Sequence, residues 1–108
     1  MADFKGLLEN LSKKIEAADP AKMKGVTAVY QFDLSGDNGG VFHAVVDDGK
    51  ASVVEAAHDS PNITISMTAE DFDSMLEGKL NATSAFMAGK LKVKGDMSLA
   101  MKLQSLLG

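Results

Sequence analysis

The sequence predicts a single α+β domain that spans residues 1–108. A length of 108 residues, with 45% hydrophobic and 24% charged residues, is typical of one globular core. Apolar residues alternate with period two in the middle of the chain, as in strands, whereas a helical period dominates near both ends. Strands and helices that are segregated in this way are typical of the α+β class.

The chain opens with a predicted helix, which four strands follow. Asp3 is placed to cap this helix, and Asp19-Pro20 ends it or begins a further short turn. Alternating apolar residues predict strands, with glycine-rich or acidic turns between the first three of them. The strands are expected at residues 27–34, 42–46, 53–54 and 63–67, and the turns at residues 35–40 and 47–50.

A helical period returns after the fourth strand. Thr68 and Asn81 are placed to cap two short helices, and a glycine ends each of them. A last strand is expected at residues 90–95, with three lysines facing outward, as suits an edge strand. Asp96 then caps a C-terminal helix.

The composition argues against catalysis and against nucleic-acid binding. There is no cysteine for a thiol nucleophile or a thiolate metal site, and none of the eleven cations is an arginine. A calcium-like loop that begins at Asp33 has Ala44 at the twelfth position, where a glutamate is needed. His43 and His58 fit no metal-ligand spacing and are predicted to lie on the surface. We expect no catalytic residue, metal, cofactor or nucleic-acid partner.

The charge is unevenly distributed along a chain whose net charge is −4. Residues 33–77 contain ten acidic residues and one lysine, whereas residues 78–108 contain five lysines and one acidic residue. A solvated surface of mixed sign accounts for this pattern. The alternative is a basic edge that meets anionic lipid or an acidic partner.

The C-terminal helix has an unusually wide apolar arc, because seven of the eleven residues at 97–107 are apolar. Either the helix lies deep in the core, or one side packs on the sheet while the other closes a cavity. Four of the six internal methionines fall in the last third of the chain. Methionine fills irregular cores, and it also recurs at adaptable binding surfaces.

The second half of the chain carries motifs that are specific to one family. They are Pro61 before a strand, Asp71-Phe72 at a helix start, GKLN at 78–81, Phe86-Met87, and GKLKVKG at 89–95. With these motifs the sequence closely resembles the sterol-carrier-protein domain, also called non-specific lipid-transfer protein. The resemblance covers nearly the whole chain, although Phe42 stands where many relatives carry tryptophan.

The resemblance implies a five-stranded, mostly antiparallel sheet covered on one face by about five helices, with an apolar tunnel between them. It also implies a cargo of sterols, fatty acids, fatty acyl-CoA or phospholipids, and no enzymatic activity. The residues expected to contact the cargo are Ile15, Phe32, Phe42, Val46, Ile65, Met75, Phe86, Met87, Met97, Met101 and Leu103. Those expected to meet an anionic head group are Lys14, Lys22 and Lys24, for which solvated surface lysines are the alternative.

We therefore predict intracellular lipid binding and transfer by a monomer that makes transient contact with membrane surfaces. The alternative is a lipid-presenting or protein-docking module that serves a partner enzyme or membrane protein, since members of the family also occur fused to other chains. With neither a signal peptide nor a C-terminal peroxisomal signal, we expect a soluble cytoplasmic protein, and peroxisomal residence is in doubt.

Overall fold

The computed structural model describes residues 3–17, 21 and 24–107, with side chains described as far as residue 102. A helix precedes a three-stranded meander, which is followed by a fourth strand, two helices, a fifth strand and a last helix. The elements are α1 (Phe4–Ala17), β1 (Thr27–Ser35), β2 (Gly40–Asp47), β3 (Lys50–Val54), β4 (Ile63–Thr68), α2 (Ala69–Leu76), α3 (Ala82–Met87), β5 (Lys92–Gly95) and α4 (Met97–Leu107).

The five strands form one mixed sheet in the order β3-β2-β1-β4-β5. Neighbouring strands are antiparallel except β1 and β4, which run parallel with Tyr30 opposite Ile63. The predicted α+β class and mostly antiparallel five-stranded sheet are confirmed, with four helices in the described ranges where about five were expected. The short turn predicted at Asp19-Pro20 lies outside the described residues.

The core lies between one face of the sheet and the helices. Burial alternates along β1, as the period-two pattern predicts. The Phe32 ring stacks on the Phe42 ring at 4.9 Å, and the Phe72 ring of α2 lies 5.4 and 5.8 Å from these two. Leu7 and Leu11 of α1 are also fully buried. Large aromatic side chains supply much of the apolar area that this small core removes from water.

The segment 55–62 crosses the face of the sheet that lies opposite to the helices. It runs from the edge strand β3 past β2 and β1 to reach β4. The His43 Nδ1 donates to the Ala56 carbonyl at 2.6 Å, and the His58 N–H donates to Gln31 Oε1 at 2.8 Å. The two imidazole rings meet edge to face at 5.1 Å. His43 is therefore only 7% exposed, and its predicted surface position is wrong because this crossover covers its face of the sheet.

The end of β5 approaches the crossover so closely that residue 95 has no room for a side chain. A Cβ at Gly95, where φ is +121°, would lie 2.5 Å from the Asn62 carbonyl oxygen. We expect Gly95→Ala to lower the free energy of unfolding by more than about 1 kcal/mol, measured by urea unfolding. Lys94→Ala, at the exposed neighbouring position, is expected to change it by less than about 0.5 kcal/mol. Equal losses in the two variants would contradict the steric role of Gly95.

Candidate functional site

An apolar groove lies near the β5 edge of the sheet, between α3, β5 and α4, and has a volume of about 270 Å³. The side chains that line it are almost all apolar. They are Ala82, Thr83, Phe86, Leu91, Val93, Met97, Ala100 and Met101. With the Thr83 hydroxyl as the one polar side-chain group in this lining, the groove suits an apolar ligand.

Local capping positions the α3 wall of the groove. The Asn81 Oδ1 accepts hydrogen bonds from the Thr83 N–H at 2.8 Å and from the Ser84 N–H at 3.2 Å. These bonds satisfy two of the free donors at the start of the helix. Ala85 then packs fully buried against the core, whereas Phe86 remains 45% exposed and lines the groove.

Among the described side chains of α4, Leu99 and Ala100 pack on the core, and a hydrogen bond to the backbone also holds the helix on the sheet. The Leu99 side chain is buried, and the Tyr30 hydroxyl donates to the Leu99 carbonyl at 3.0 Å. At the start of the helix, Asp96 Oδ1 accepts from the Ser98 hydroxyl at 2.6 Å and from the Ser98 N–H at 2.9 Å. The hydrogen bond from the Ser98 hydroxyl, and to a smaller extent the one from the Ser98 N–H, lowers the pKa of Asp96 below its ordinary value.

The other side of α4 faces the groove. Met97 and Met101 lie one helical turn apart, line the groove, and are 48% and 77% exposed. Lys102 is exposed as well, so among the residues with described side chains α4 is not enclosed by the core, and the deep-core alternative is wrong for this part of the helix. Phe86 and Met87 of α3 add two more large exposed hydrophobic side chains. Exposed apolar side chains that gather in this way are typical of interaction sites.

The structure divides the predicted cargo-contact residues into groups. Those that line the groove are Phe86, Met97 and Met101. Those that are buried in the core are Phe32, Phe42, Val46, Ile65 and Met75. Ile15 is partly buried in α1, and Met87 is 82% exposed next to Phe86. The side chain of Leu103 lies outside the described residues.

The sequence prediction did not include five residues that line the groove, namely Ala82, Thr83, Leu91, Val93 and Ala100. Alternation along the last strand did identify Leu91 and Val93 as inward-facing. It carries no signal that distinguishes a side chain in the closed core from one that faces an open groove, because both are apolar positions on the same face.

The predicted head-group lysines that the structure describes lie outside the groove lining. The Lys14 Nζ donates to the Leu76 carbonyl at 2.8 Å, so Lys14 caps the C-terminal end of α2. Lys14 also borders a second, more polar depression of about 400 Å³ with Lys13 and Glu77. Lys24 is exposed, and Lys22 lies outside the described residues.

Burial, and secondarily the charge of Asp96, raises the pKa of Tyr30 from 10.0 to about 12. Between pH 10 and about 12 the unfolded chain therefore loses a proton that the folded chain retains, so the free energy of unfolding decreases as the pH rises through this window. Tyr30 is the only tyrosine and the chain has no tryptophan, so ultraviolet absorbance follows this phenol alone. We expect a phenolate midpoint near 12 in the folded protein and near 10 in urea. The same midpoint in both states would contradict the burial of the Tyr30 hydroxyl.

In the described ranges, no helix combines the length and apolar character that a membrane crossing needs. The same residues contain no group of three or more histidine, aspartate or glutamate side chains that could hold a metal ion.

Known sequences resemble the chain over most of its length. The SCP-2 sterol transfer family matches residues 5–108. Hydroxysteroid dehydrogenase-like protein 2 of Bos taurus is 42% identical over 86 residues, which cover 79% of this chain and 21% of that protein. Its counterpart in Xenopus tropicalis is 39% identical over 103 residues, covering 94% of this chain and 25% of that protein. The chain thus spans about a quarter or less of the curated relatives that it matches.

Solved structures share the fold. The palmitated SCP2L2 of Aedes aegypti is 27% identical with a TM-score of 0.75, covering 94% of this chain and 90% of that one. The crystal structure of Sterol Carrier Protein 2 Like 2, also from Aedes aegypti, is 23% identical with a TM-score of 0.74, covering 93% and 92%. The resemblance inferred from the sequence motifs is thereby confirmed. Since the family match runs from residue 5 to residue 108, the chain belongs to the SCP-2 sterol transfer family.

Proposed function

We propose that this chain binds one long-chain lipid with its apolar part in the groove between α3, β5 and α4, and carries that lipid between membranes. Membership of the family supports lipid binding and transfer in general. The observation that carries the finer proposal is the groove itself, whose lining is apolar and open to solvent. The proposed cargo is a fatty acid, fatty acyl-CoA, sterol or phospholipid.

The side chains of the groove suit a ligand of variable shape. Met97 and Met101 form its α4 wall, and both have flexible thioether side chains that adapt to irregular apolar surfaces. Phe86 forms part of the α3 wall, and the less exposed Leu91 and Val93, just before and within β5, form the base. Five of the predicted cargo-contact residues lie in the closed core, namely Phe32, Phe42, Val46, Ile65 and Met75. We propose that they support this base from behind, and that an acyl chain contacts them only if α4 moves outward.

The energetics of such a groove favour exchange over permanent capture. Each methylene that leaves water contributes about 0.8 kcal/mol, so a long acyl chain strongly prefers either a bilayer or the protein to water. Because a bilayer already removes the chain from water, transfer from bilayer to protein is nearly balanced. Near balance allows a carrier both to load and to unload.

We propose that Lys14, Lys22 and Lys24, the lysines predicted from the sequence, meet an anionic head group. Lys24 is exposed and is available to an anionic group, whereas Lys14 would first have to leave the Leu76 carbonyl. Lys22 lies outside the described residues. We further propose that the protein acts as a monomer, without a catalytic residue or cofactor.

The second candidate function is presentation of lipid to another domain or partner. It is favoured by the length of the curated relatives, of which this chain matches 21–25% in the two cases above. Native mass spectrometry of the purified protein separates the candidates. A co-purified lipid that exchanges with added vesicles supports the carrier, whereas an empty protein that associates stably with a partner supports the presenting module.

Titration of delipidated, folded protein with a fluorescent fatty acid tests binding directly. We expect a saturable signal with about one ligand per chain and micromolar or tighter affinity, as the family resemblance implies. Repurified protein is expected to show no turnover of acyl-CoA. A titration without saturation would contradict lipid binding in the groove.

A further inference from the structure

Exposure divides the methionines into two groups. Met87, Met97 and Met101 are 82%, 48% and 77% exposed, whereas Met67 and Met75 are 5% and 4% exposed. The remaining two, Met1 and Met23, lie outside the described residues. A reagent in solution therefore reaches the first group directly, and it reaches the second group only when the core opens.

The composition makes these exposed thioethers the side chains that an oxidant attacks first. The chain contains no cysteine, whose thiolate would otherwise react in their place, and no tryptophan. A thioether is soft and polarizable, and oxidants convert it to a sulfoxide. Oxidative chemistry on the folded protein is therefore expected at methionine, and at the exposed methionines before the buried ones.

Two of the three exposed thioethers belong to the groove. Met97 and Met101 lie one helical turn apart on α4 and line the groove, whereas Met87 on α3 is not part of the lining. Apart from the Thr83 hydroxyl, the other side chains of the lining are apolar. A chemical change at this pair therefore alters the wall that an apolar ligand would cover.

We infer that Met97 and Met101 form an oxidation-sensitive site, at which a hydroperoxide converts both thioethers to sulfoxides and thereby releases the cargo. The outer oxygen of the hydroperoxide ROOH forms a bond to sulfur while the O–O bond breaks, and the peroxide proton ends on the alcohol ROH. The sulfur is oxidised and the peroxide is reduced by the same electron pair, so the step needs no further reactant.

The sulfoxides lower affinity for an apolar cargo because each adds a polar S=O group to the groove wall. In the empty protein both side chains are exposed, so this group stays hydrated. A bound acyl chain removes that water and offers no hydrogen-bond donor in return, which is costly. We expect the doubly oxidised protein to bind fatty acid at least about tenfold more weakly. The inference rests on the proposed function, since the released cargo is the lipid proposed above.

The fold is expected to survive the oxidation. Leu99 and Ala100 pack α4 on the core, and the Tyr30 hydroxyl donates to the Leu99 carbonyl, so these contacts do not involve the two methionine side chains. The change is also reversible, because methionine sulfoxide reductases restore the thioether, with one enzyme for each epimer of the sulfoxide. The site can therefore act as a switch between a cargo-binding and a cargo-releasing groove.

The test treats delipidated protein with hydrogen peroxide, locates the added oxygen by peptide mass spectrometry, and measures fatty-acid affinity before and after. We expect sulfoxides at Met87, Met97 and Met101 while Met67 and Met75 stay unmodified, with unchanged circular dichroism. Fatty-acid affinity should fall at least about tenfold and recover after treatment with both reductases. Parental affinity in protein whose two groove methionines are oxidised would overturn the inference, as would oxidation of the buried methionines at the same rate.

Leucine variants locate the effect. Met97 and Met101 are replaced together by leucine, which has a similar volume and no sulfur. The matched control is Met87→Leu, which removes the most exposed described thioether and leaves the groove lining intact. Each protein is compared with its own untreated sample. Peroxide should weaken fatty-acid binding by Met87→Leu and not by the double variant, and equal losses in both would overturn the inference.

A fatty-acid hydroperoxide distinguishes the two sources of the oxidant. Dissolved hydrogen peroxide is expected to oxidise Met87 at least as fast as the groove pair, because Met87 is more exposed. If equimolar linoleic acid hydroperoxide oxidises Met97 and Met101 ahead of Met87, the cargo itself carries the oxidant to the site. The same order with both reagents identifies dissolved peroxide as the source, and an unreacted pair with both overturns the site. Untreated protein that does not bind fatty acid contradicts the proposed function, whereas binding that survives oxidation of the pair contradicts this inference alone.

Discussion

Replacing Met97 and Met101 together with aspartate is expected to lower fatty-acid affinity about a hundredfold, while the protein stays folded. Both side chains line the groove and are largely exposed without cargo, so their carboxylates stay hydrated in the empty protein. A bound acyl chain covers them, and burial of an unpaired charge is costly. A loss of about 1.4 kcal/mol at each position corresponds to tenfold in affinity, and the two losses multiply.

Lys102→Asp is the matched control for this double variant. It changes the net charge by the same two units and lies on α4 beside Met101, yet it is not part of the groove lining. Circular dichroism should show all three proteins folded, and fatty-acid titration should show a large loss in the double variant only. Parental affinity in the folded double variant would place the cargo elsewhere. Outright unfolding would mean that α4 is an essential part of the core.

Phe72→Ala is expected to cause the largest loss of stability, about 3–5 kcal/mol. The Phe72 side chain is fully buried, and its ring contacts the stacked rings of Phe32 and Phe42. Removing the ring loses these contacts and leaves a cavity between α2 and the sheet. Urea or thermal unfolding measures the effect.

Phe86→Ala provides the comparison, because the same chemical change is made at a side chain that is 45% exposed. We expect a much smaller loss of unfolding free energy, together with weaker fatty-acid binding, since Phe86 lines the groove. A loss of stability as large as that of Phe72→Ala would contradict the assignment of Phe86 to a binding surface.

The local pattern of residues predicted most of the fold, because core positions repeat with the period of the element that carries them. The alternation around Tyr30 and Phe32 predicted β1, and the wide apolar arc of residues 97–107 predicted a helix with two apolar sides. The parallel pairing of β1 with β4 is a long-range property, and it follows from the crossover at residues 55–62. The same crossover buries His43, which the local pattern placed in water.

The candidate site was less predictable than the fold. Phe32 and Phe86 are both large apolar residues, and the sequence gives no reason to separate them. Only the packing of the helices shows that Phe32 is enclosed and that Phe86 faces an open groove. Tertiary packing, which determines this difference, involves residues far apart in the chain.

The methyl groups of the methionines offer the most direct measurement of the central claim that the α3-β5-α4 groove holds the cargo. Delipidated protein with isotope-labelled methionine methyl groups would be titrated with palmitate and followed by NMR. The account predicts that the Met97 and Met101 signals shift and saturate at about one equivalent, whereas that of Met67, which is buried in β4, changes little. If palmitate saturates the protein while the signals of Met97 and Met101 stay unchanged, the cargo does not bind in this groove.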